Sequence, residues 1–437
     1  MCRYKKESLM GKLFEVKEFD KIICNPHYRE DTRYRYLEEE KFRELITFLH
    51  EFSGEGADAL DFMKIGYQRG IGEIVFVRNY VGIFELKDGF QIQILPKISF
   101  CDREEGNEKT KKVFLHMLSS IKEFSGKEFL ISSLNADRMN LYEIFIHMYL
   151  QEVKKLVDKG ISSGYIEQED NLPYFRGKLL VSKQLMVNSL HQERFYVVWE
   201  ELHKNRPENR IVKATLIRLL KKTKSAGNAW EIKRLLSAFS MVETSKCYEK
   251  DFSQAVIGRN TRDYKRLMQW SKIFLMNQSF TSFSGVFSSQ ALLFPMESLY
   301  ESYVAQQIKK VFGRAGWEVS CQDQRFFLFE EPKKFSLRPD LVLMRDGRIV
   351  VMDTKWKMLR KNRNQNYGIA QADMYQMYAY SKKYKTPEVW LLYPANEEIR
   401  EHTPIKFESG DGTCLCLFLV DLARMEENME ELREKLG

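Results

Sequence analysis

The run Arg338-Pro339-Asp340-Leu341-Val342-Leu343-Met344-Arg345-Asp346-Gly347-Arg348-Ile349-Val350-Val351-Met352-Asp353-Thr354-Lys355-Trp356 places two short apolar segments on either side of one Asp-Gly pair. Short runs of branched apolar residues suit strands, and Asp-Gly supplies the two positive φ angles of a two-residue hairpin turn. The pattern therefore predicts paired strands over Leu337 to Met344 and Arg348 to Trp356. Antiparallel pairing across such a turn sets Asp340 opposite Asp353, with Cβ atoms about 4.5 to 5.5 Å apart. Side chains alternate between faces along a strand, so Lys355 leaves from the same face as Asp353.

Two facing carboxylates repel and weaken a strand pair unless a positive charge compensates them. A divalent cation would supply that charge. Oxygen ligands suit Mg²⁺, with Mn²⁺ a second fit, and Mg²⁺ commonly takes one or two carboxylates while waters and phosphate oxygens fill its other positions. The plainer alternative is an edge hairpin neutralised by Lys355 and Arg338, but the apolar runs on both sides of the turn suit a central strand pair better.

Outward from the hairpin, the spacing predicts a helix from Met296 to about Arg314, a strand at Phe326 to Phe329, a helix near Ile369 to Tyr384 and a strand at Val389 to Tyr393. The order α-β-β-β-α-β implies a mixed sheet flanked by helices. Upstream, Asn79 to Ile98 alternates around Asp88-Gly89 and reads as a second hairpin with a two-residue turn, while Glu38 to Phe52 carries Phe42, Leu45, Ile46 and Leu49 at helical spacing. The Tyr- and Arg-rich stretch before that helix reads as an exposed loop. Cys101 to Lys112 is almost wholly charged or polar, as in a linker, and Val113 to Met276 is mostly helical with an interruption near Pro173 to Lys178. The expected class is α+β multidomain: a β-containing N-terminal domain (1–101), a helical middle region (113–278) and a C-terminal α/β domain (279–437).

At 437 residues the chain has the length of about three domains. With 44% apolar, 13% aromatic and 30% charged residues, it is neither disordered nor a fibrous or disulfide scaffold. Its 7 cysteines are scattered apart from Cys414 and Cys416, so reduced thiols are expected rather than a zinc site. No apolar run approaches the ~20 residues of a membrane helix, and no signal-type segment opens the sequence, so no membrane association and a cytoplasmic location are expected. The 69 Lys and Arg exceed the 61 Asp and Glu by 8. From Glu331 to Gln365, ten basic residues face four acidic ones, a local excess of 6. Arg338, Lys357, Arg360, Lys361 and Arg363 within it are candidates for sequence-independent contact with DNA phosphates.

Arg338-Pro339-Asp340, twelve residues, then Asp353-Thr354-Lys355, carried on that element order, resembles the PD-(D/E)xK nuclease superfamily. The resemblance implies a C-terminal endonuclease domain in which Asp340 and Asp353 hold Mg²⁺ and Lys355 orients or activates the attacking water. It also implies a third acidic ligand on the preceding helix, Glu301 in preference to Glu297, and a glutamine near the site, Gln376. Together with Gln93-Ile94-Leu95-Pro96-Lys97-Ile98, Arg176-Gly177-Lys178, Asn209-Arg210 and the stretch from Leu293 to Val304, these segments look like the McrC family, the nuclease subunit of the McrBC 5-methylcytosine-specific (type IV) restriction system. That likeness implies antiviral defence by Mg²⁺-dependent cleavage of methylated double-stranded DNA, in company with a McrB-like AAA+ GTPase hexamer whose hydrolysis the subunit stimulates. It also implies an N-terminal finger that enters the ring, for which Asn25 to Arg35 and Arg69 to Arg78 are candidates. The chain has no Walker A sequence G-x-x-x-x-G-K-[ST], so the motor is expected in the partner. The competing readings are a non-catalytic assembly or adaptor protein and a stand-alone PD-(D/E)xK nuclease of another defence or repair system.

Overall fold

The computed structural model describes residues 13–53, 62–98, 105–120, 140–258, 261–276, 286–287, 291–396, 399 and 405–437. Its contacts form two compact units, one joining the described residues of Met1–Arg138 with those of Leu292–Gly437, the other taking those of Met139–Phe283. This grouping differs from the expected segments 1–101, 113–278 and 279–437, because strands from both ends of the chain share a sheet.

The first unit begins with strands β1 (Leu13–Lys17), β2 (Lys21–Ile23) and β3 (Arg35–Tyr36), helix α1 (Glu39–Ser53), strands β4 (Met63–Gln68), β5 (Gly72–Val77), β6 (Tyr80–Glu85) and β7 (Gln91–Leu95), and helix α2 (Glu105–Ser119). Strands β3-β2-β5-β4 make a small sheet, so the expected loop before α1 contains a strand and a short 3₁₀ turn, Pro26–Tyr28. The β6–β7 hairpin forms, but its loop holds three residues, Lys87-Asp88-Gly89, between Leu86 and Phe90. Only Gly89 has a positive φ, 82°. The Asp88 side chain instead accepts the Phe90 N–H at 2.8 Å, the chemistry of a type I turn closed by a left-handed glycine, which lengthens the loop by one residue. The charged stretch expected as a linker is helical from Glu105. It buries Thr110, Val113, Phe114 and Met117, one stripe at helical spacing that its dense charge conceals.

The second unit contains α3 (Leu141–Lys159), β8 (Gly164–Leu172), β9 (Lys178–Leu179), α4 (Val181–Val187), β10 (Phe195–His203), α5 (Pro207–Lys222), α6 (Ala226–Leu236), α7 (Tyr248–Gln254) and α8 (Tyr264–Met276). Asn140 caps α3 by accepting the Glu143 N–H at 2.9 Å. In α5, Val212, Leu216 and Leu219 are buried, as their spacing predicts. The expectation of a mostly helical region fails between these two helices, where β8-β10-β9 form a sheet and β8 pairs with β10 from Gly164↔His203 to Leu172↔Phe195. Strand β8 reads Gly-Tyr-Ile-Glu-Gln-Glu-Asp-Asn-Leu, too polar on both faces to show the alternation of a half-buried strand.

The chain continues through β11 (Val286–Phe287), β12 (Ala291–Pro295), α9 (Met296–Arg314), β13 (Glu318–Cys321), β14 (Phe327–Glu330), β15 (Lys333–Ser336), β16 (Leu341–Arg345), β17 (Arg348–Thr354), α10 (Gln371–Tyr384), β18 (Glu388–Pro394), β19 (Ile405–Glu408), β20 (Cys414–Val420) and α11 (Met425–Leu436). One sheet has the order β1-β7-β6-β12-β11. Where β6 passes β12, Gly82 has φ +146° and a Cβ would lie 1.9 Å from the Leu292 carbonyl oxygen, so only glycine fits. A second sheet has the order β13-β16-β17-β18-β20-β19. It is mixed, with β17–β18 and β18–β20 parallel and the other pairs antiparallel, and helices pack on it, as expected. One strand is corrected: the segment expected at Phe326 to Phe329 pairs with β15 in a separate ribbon, and the sheet's first strand is β13, four partly exposed residues without an apolar pattern. Met377, Tyr380 and Tyr384 of α10 pack on Val342, Val351, Val389 and Leu391. Among the described residues, no helix is long and apolar enough to cross a membrane.

Candidate active site

Asp346 and Gly347 both take positive φ, 49° and 79°, and close the turn between the paired residues Arg345 and Arg348. The ladder runs back from there to Leu341↔Met352. Leu341, Val342, Leu343, Val350, Val351 and Met352 are all buried, so Asp340 and Asp353 emerge at the end of a central strand pair rather than on a solvated edge. Val342 and Val351 lie under α10. Alternation then brings Asp340, Asp353 and Lys355 to that same face.

Asp340 Oδ2 accepts two hydrogen bonds from Thr354, from the N–H at 2.7 Å and from the hydroxyl at 2.6 Å. Asp353 is 1% exposed. Lys355 Nζ forms an ion pair with its Oδ2 at 2.5 Å, outside ideal hydrogen-bond geometry. The ammonium also donates to Gln376 Oε1 at 3.1 Å, and Gln376 Nε2 donates to the Tyr380 hydroxyl at 2.7 Å. One turn earlier on α10, buried Asp373 accepts from Lys357 Nζ at 2.8 Å. The structure thus brings Asp340, Asp353, Lys355 and Gln376 together and adds Asp373, whose one available signal was its position three residues before Gln376 on the same helix face.

Glu301 is held by Gln322 Nε2 at 2.7 Å, while Gln322 N–H donates to the Asp340 carbonyl, so Glu301 reaches the site through this glutamine. Glu297 is exposed. Among the basic candidates, Arg338, Arg360 and Lys361 are exposed and Lys357 is engaged by Asp373, whereas the side chain of Arg363 lies outside the described residues.

Burial, and then the Asp340 charge, push the Asp353 carboxyl well above the usual carboxylate range. Burial also raises Asp340, against the two Thr354 hydrogen bonds, and burial followed by the Asp340 charge raises Glu301. Burial alone would lower the Lys355 ammonium, but adjacent Asp353 outweighs it and keeps Lys355 protonated above its ordinary range. The cluster is therefore short of positive charge even with Lys355 in place. Buried carboxylates whose mutual repulsion one ammonium does not offset, offering only oxygen donors, fit a hard divalent cation. Among the described residues, no group of three or more His, Cys, Asp or Glu side chains is placed to hold a metal ion, so the protein's share would be the two carboxylates, Asp340 and Asp353. That suits Mg²⁺, which keeps several waters.

A family model described as "McrBC 5-methylcytosine restriction system component" matches residues 75–394. No curated protein matches the chain. Among solved structures, the chain is similar to one described as a refined half-complex from a tetradecameric assembly of Thermococcus gammatolerans McrB AAA+ hexamers with bound McrC, with a TM-score of 0.73 and 19% identity over 97% of this chain and 100% of that chain. It is also similar to a chain of the cryo-EM structure of the Thermococcus gammatolerans McrBC complex, with a TM-score of 0.50 and 20% identity over 69% of this chain and 88% of that one. At these identities the structural likeness is one of fold.

Proposed function

The chain belongs to the McrBC 5-methylcytosine restriction system component family, and from that premise we propose that it is the DNA-cutting subunit of such a system. On this reading it is a PD-(D/E)xK endonuclease that hydrolyses phosphodiester bonds with Mg²⁺, or Mn²⁺ in its place, and stimulates a McrB-like AAA+ GTPase. The observation that carries the reading is the pair of carboxylates Asp340 and Asp353, the second buried and ion-paired with Lys355, gathered at the end of a central hairpin. The ring partner is supported by the fold shared with chains from McrB assemblies with bound McrC, and by the lack of a Walker A sequence here.

Asp340 and Asp353 would hold Mg²⁺, which when bound would supply Lewis-acid polarisation of a phosphate and acidify a bound water. Thr354 fixes Asp340 with two hydrogen bonds, so that carboxylate meets its ligand already oriented. Lys355, held protonated, serves as a cation and hydrogen-bond donor toward the water or the charge that develops on the phosphate. Gln376, itself held by Tyr380, aims the ammonium. Arg338, whose charge acts on Glu301, and Arg360 and Lys361, which follow Lys355 in the sequence, are exposed and would offer positive charge to backbone phosphates. The test is cleavage of methylated duplex DNA by the full chain with a McrB-type ring, GTP and Mg²⁺, with and without EDTA. Metal-dependent cutting that is lost in Asp353→Asn supports the reading. A complex that hydrolyses GTP and binds DNA but never cuts makes the chain an adaptor, and efficient cutting by the chain alone without GTP makes it a stand-alone nuclease.

A further inference from the structure

Glu18, one residue past β1 and outside the stretch matched by the family, is fully buried. Its two carboxyl oxygens accept from Trp356 Nε1 at 3.1 and 3.2 Å, and Oε2 also accepts the Lys97 N–H at 3.1 Å. Its own N–H donates to the Leu95 carbonyl at 3.0 Å, so the residue is seated on the end of β7 and reaches from there to Trp356. Trp356 follows Lys355, and alternation turns the two side chains to opposite faces, Lys355 toward Gln376 and Trp356 toward α9. There the indole packs on Tyr300, with ring centroids 5.2 Å apart. The Tyr300 hydroxyl donates to the Leu392 carbonyl at 3.4 Å, the same oxygen that accepts the Lys355 N–H at 2.9 Å. Tyr300 in turn precedes Glu301.

We infer that Glu18 is a positioning residue of the cutting site: by holding the Trp356 indole against Tyr300, it fixes the backbone of Lys355 and so sets where the ammonium stands relative to Asp353. The inference rests on the nuclease reading above. Burial pushes the Glu18 carboxyl up to about 8, against the Lys97 and Trp356 hydrogen bonds, so its burial works against stability at neutral pH. An apolar side chain would fill the space without that cost but would leave the indole N–H without its acceptor.

Single-turnover cleavage, DNA affinity and thermal melting of the full chain with the ring, GTP and Mg²⁺ test this. Glu18→Ala is expected to slow cutting by about 10- to 100-fold with DNA affinity within about twofold, the size of loss that misplacing a catalytic group produces. Glu18→Gln, which keeps an acceptor for the indole, is expected to cut within about threefold of wild type. Trp356→Phe, which keeps the ring contact and loses the donor, is expected to match Glu18→Ala, and the double variant to be no slower than either, as members of one unit behave. If Glu18→Ala does not fold, Trp356→Phe and Glu18→Gln carry the comparison. Folded variants that all cut at the wild-type rate, losses that multiply in the double variant, or a loss that only follows the melted fraction would overturn the role of Glu18 while the nuclease reading stands. A wild-type chain that does not cut removes both.

Discussion

Asp353 is held where its charge is unwelcome, and that has opposite consequences for the two halves of its ion pair. Because burial and Asp340 raise its acid range, ionisation weakens the fold, and Asp353→Asn should melt higher than wild type at pH 8, by about 1 kcal/mol, while losing cleavage. Lys355→Ala should lose cleavage as well but melt lower, since it leaves two neighbouring carboxylates without their cation. Melting curves and a cleavage assay on both variants check the pair of signs, and equal melting shifts would contradict the electrostatics described here. Glu18 gives a pH dependence of its own. Its carboxyl ordinarily titrates near 4.5 and is raised to about 8 in the folded chain. Between those values the folded chain keeps a proton that the unfolded chain has released, so stability is full below the lower value and falls by about 1.4 kcal/mol per pH unit through the window. Glu18→Gln should flatten that fall, matching wild type near pH 4.5 and exceeding it at pH 8 in denaturant titrations. Parallel curves would show that Glu18 retains no such proton.

The elements explain why the two ends of the chain cannot be treated as separable domains. Strands β6 and β7 lie in one sheet with β12, an entirely buried Ala-Leu-Leu-Phe-Pro strand leading into α9. Removing residues 1–101 would leave β12 as an exposed apolar edge, so a chain that starts at residue 102 is expected to be insoluble rather than a free nuclease domain, as soluble yield and circular dichroism would reveal. At the crossing of β6 and β12, Gly82→Ala should cost at least about 2 kcal/mol, because the backbone conformation and the Leu292 carbonyl both exclude a Cβ. A near-wild-type denaturation midpoint would mean that the two strands part readily. The same elements show which patterns a sequence displays. The β16–β17 hairpin has matched apolar runs and an Asp-Gly turn, both local signals, whereas β8 is polar along both faces and β13 is short and half-exposed, so neither stands out before its partner strand is known.

For the whole molecule, the excess of 6 positive charges between Glu331 and Gln365 sets the expectation for DNA. The chain alone should bind duplex weakly, with Kd of about 10⁻⁴ to 10⁻⁶ M at physiological salt, without preference for methylated sites and with steep loss of affinity as salt rises. Nanomolar, methylation-selective binding in a salt series would overturn that expectation. The sequence by itself determined the central hairpin, its register and the trio Asp340, Asp353 and Lys355, because turn chemistry and two-residue alternation act over a few neighbouring residues. Tertiary structure alone decided the rest: that Gln376 aims Lys355, that Asp373 pairs with Lys357, and that Glu18 reaches Trp356 across 338 residues of sequence. Those contacts exist because the helix α10 packs on the central sheet and because β1 pairs beside β7, and pairing between distant segments leaves no local periodicity from which it could be read.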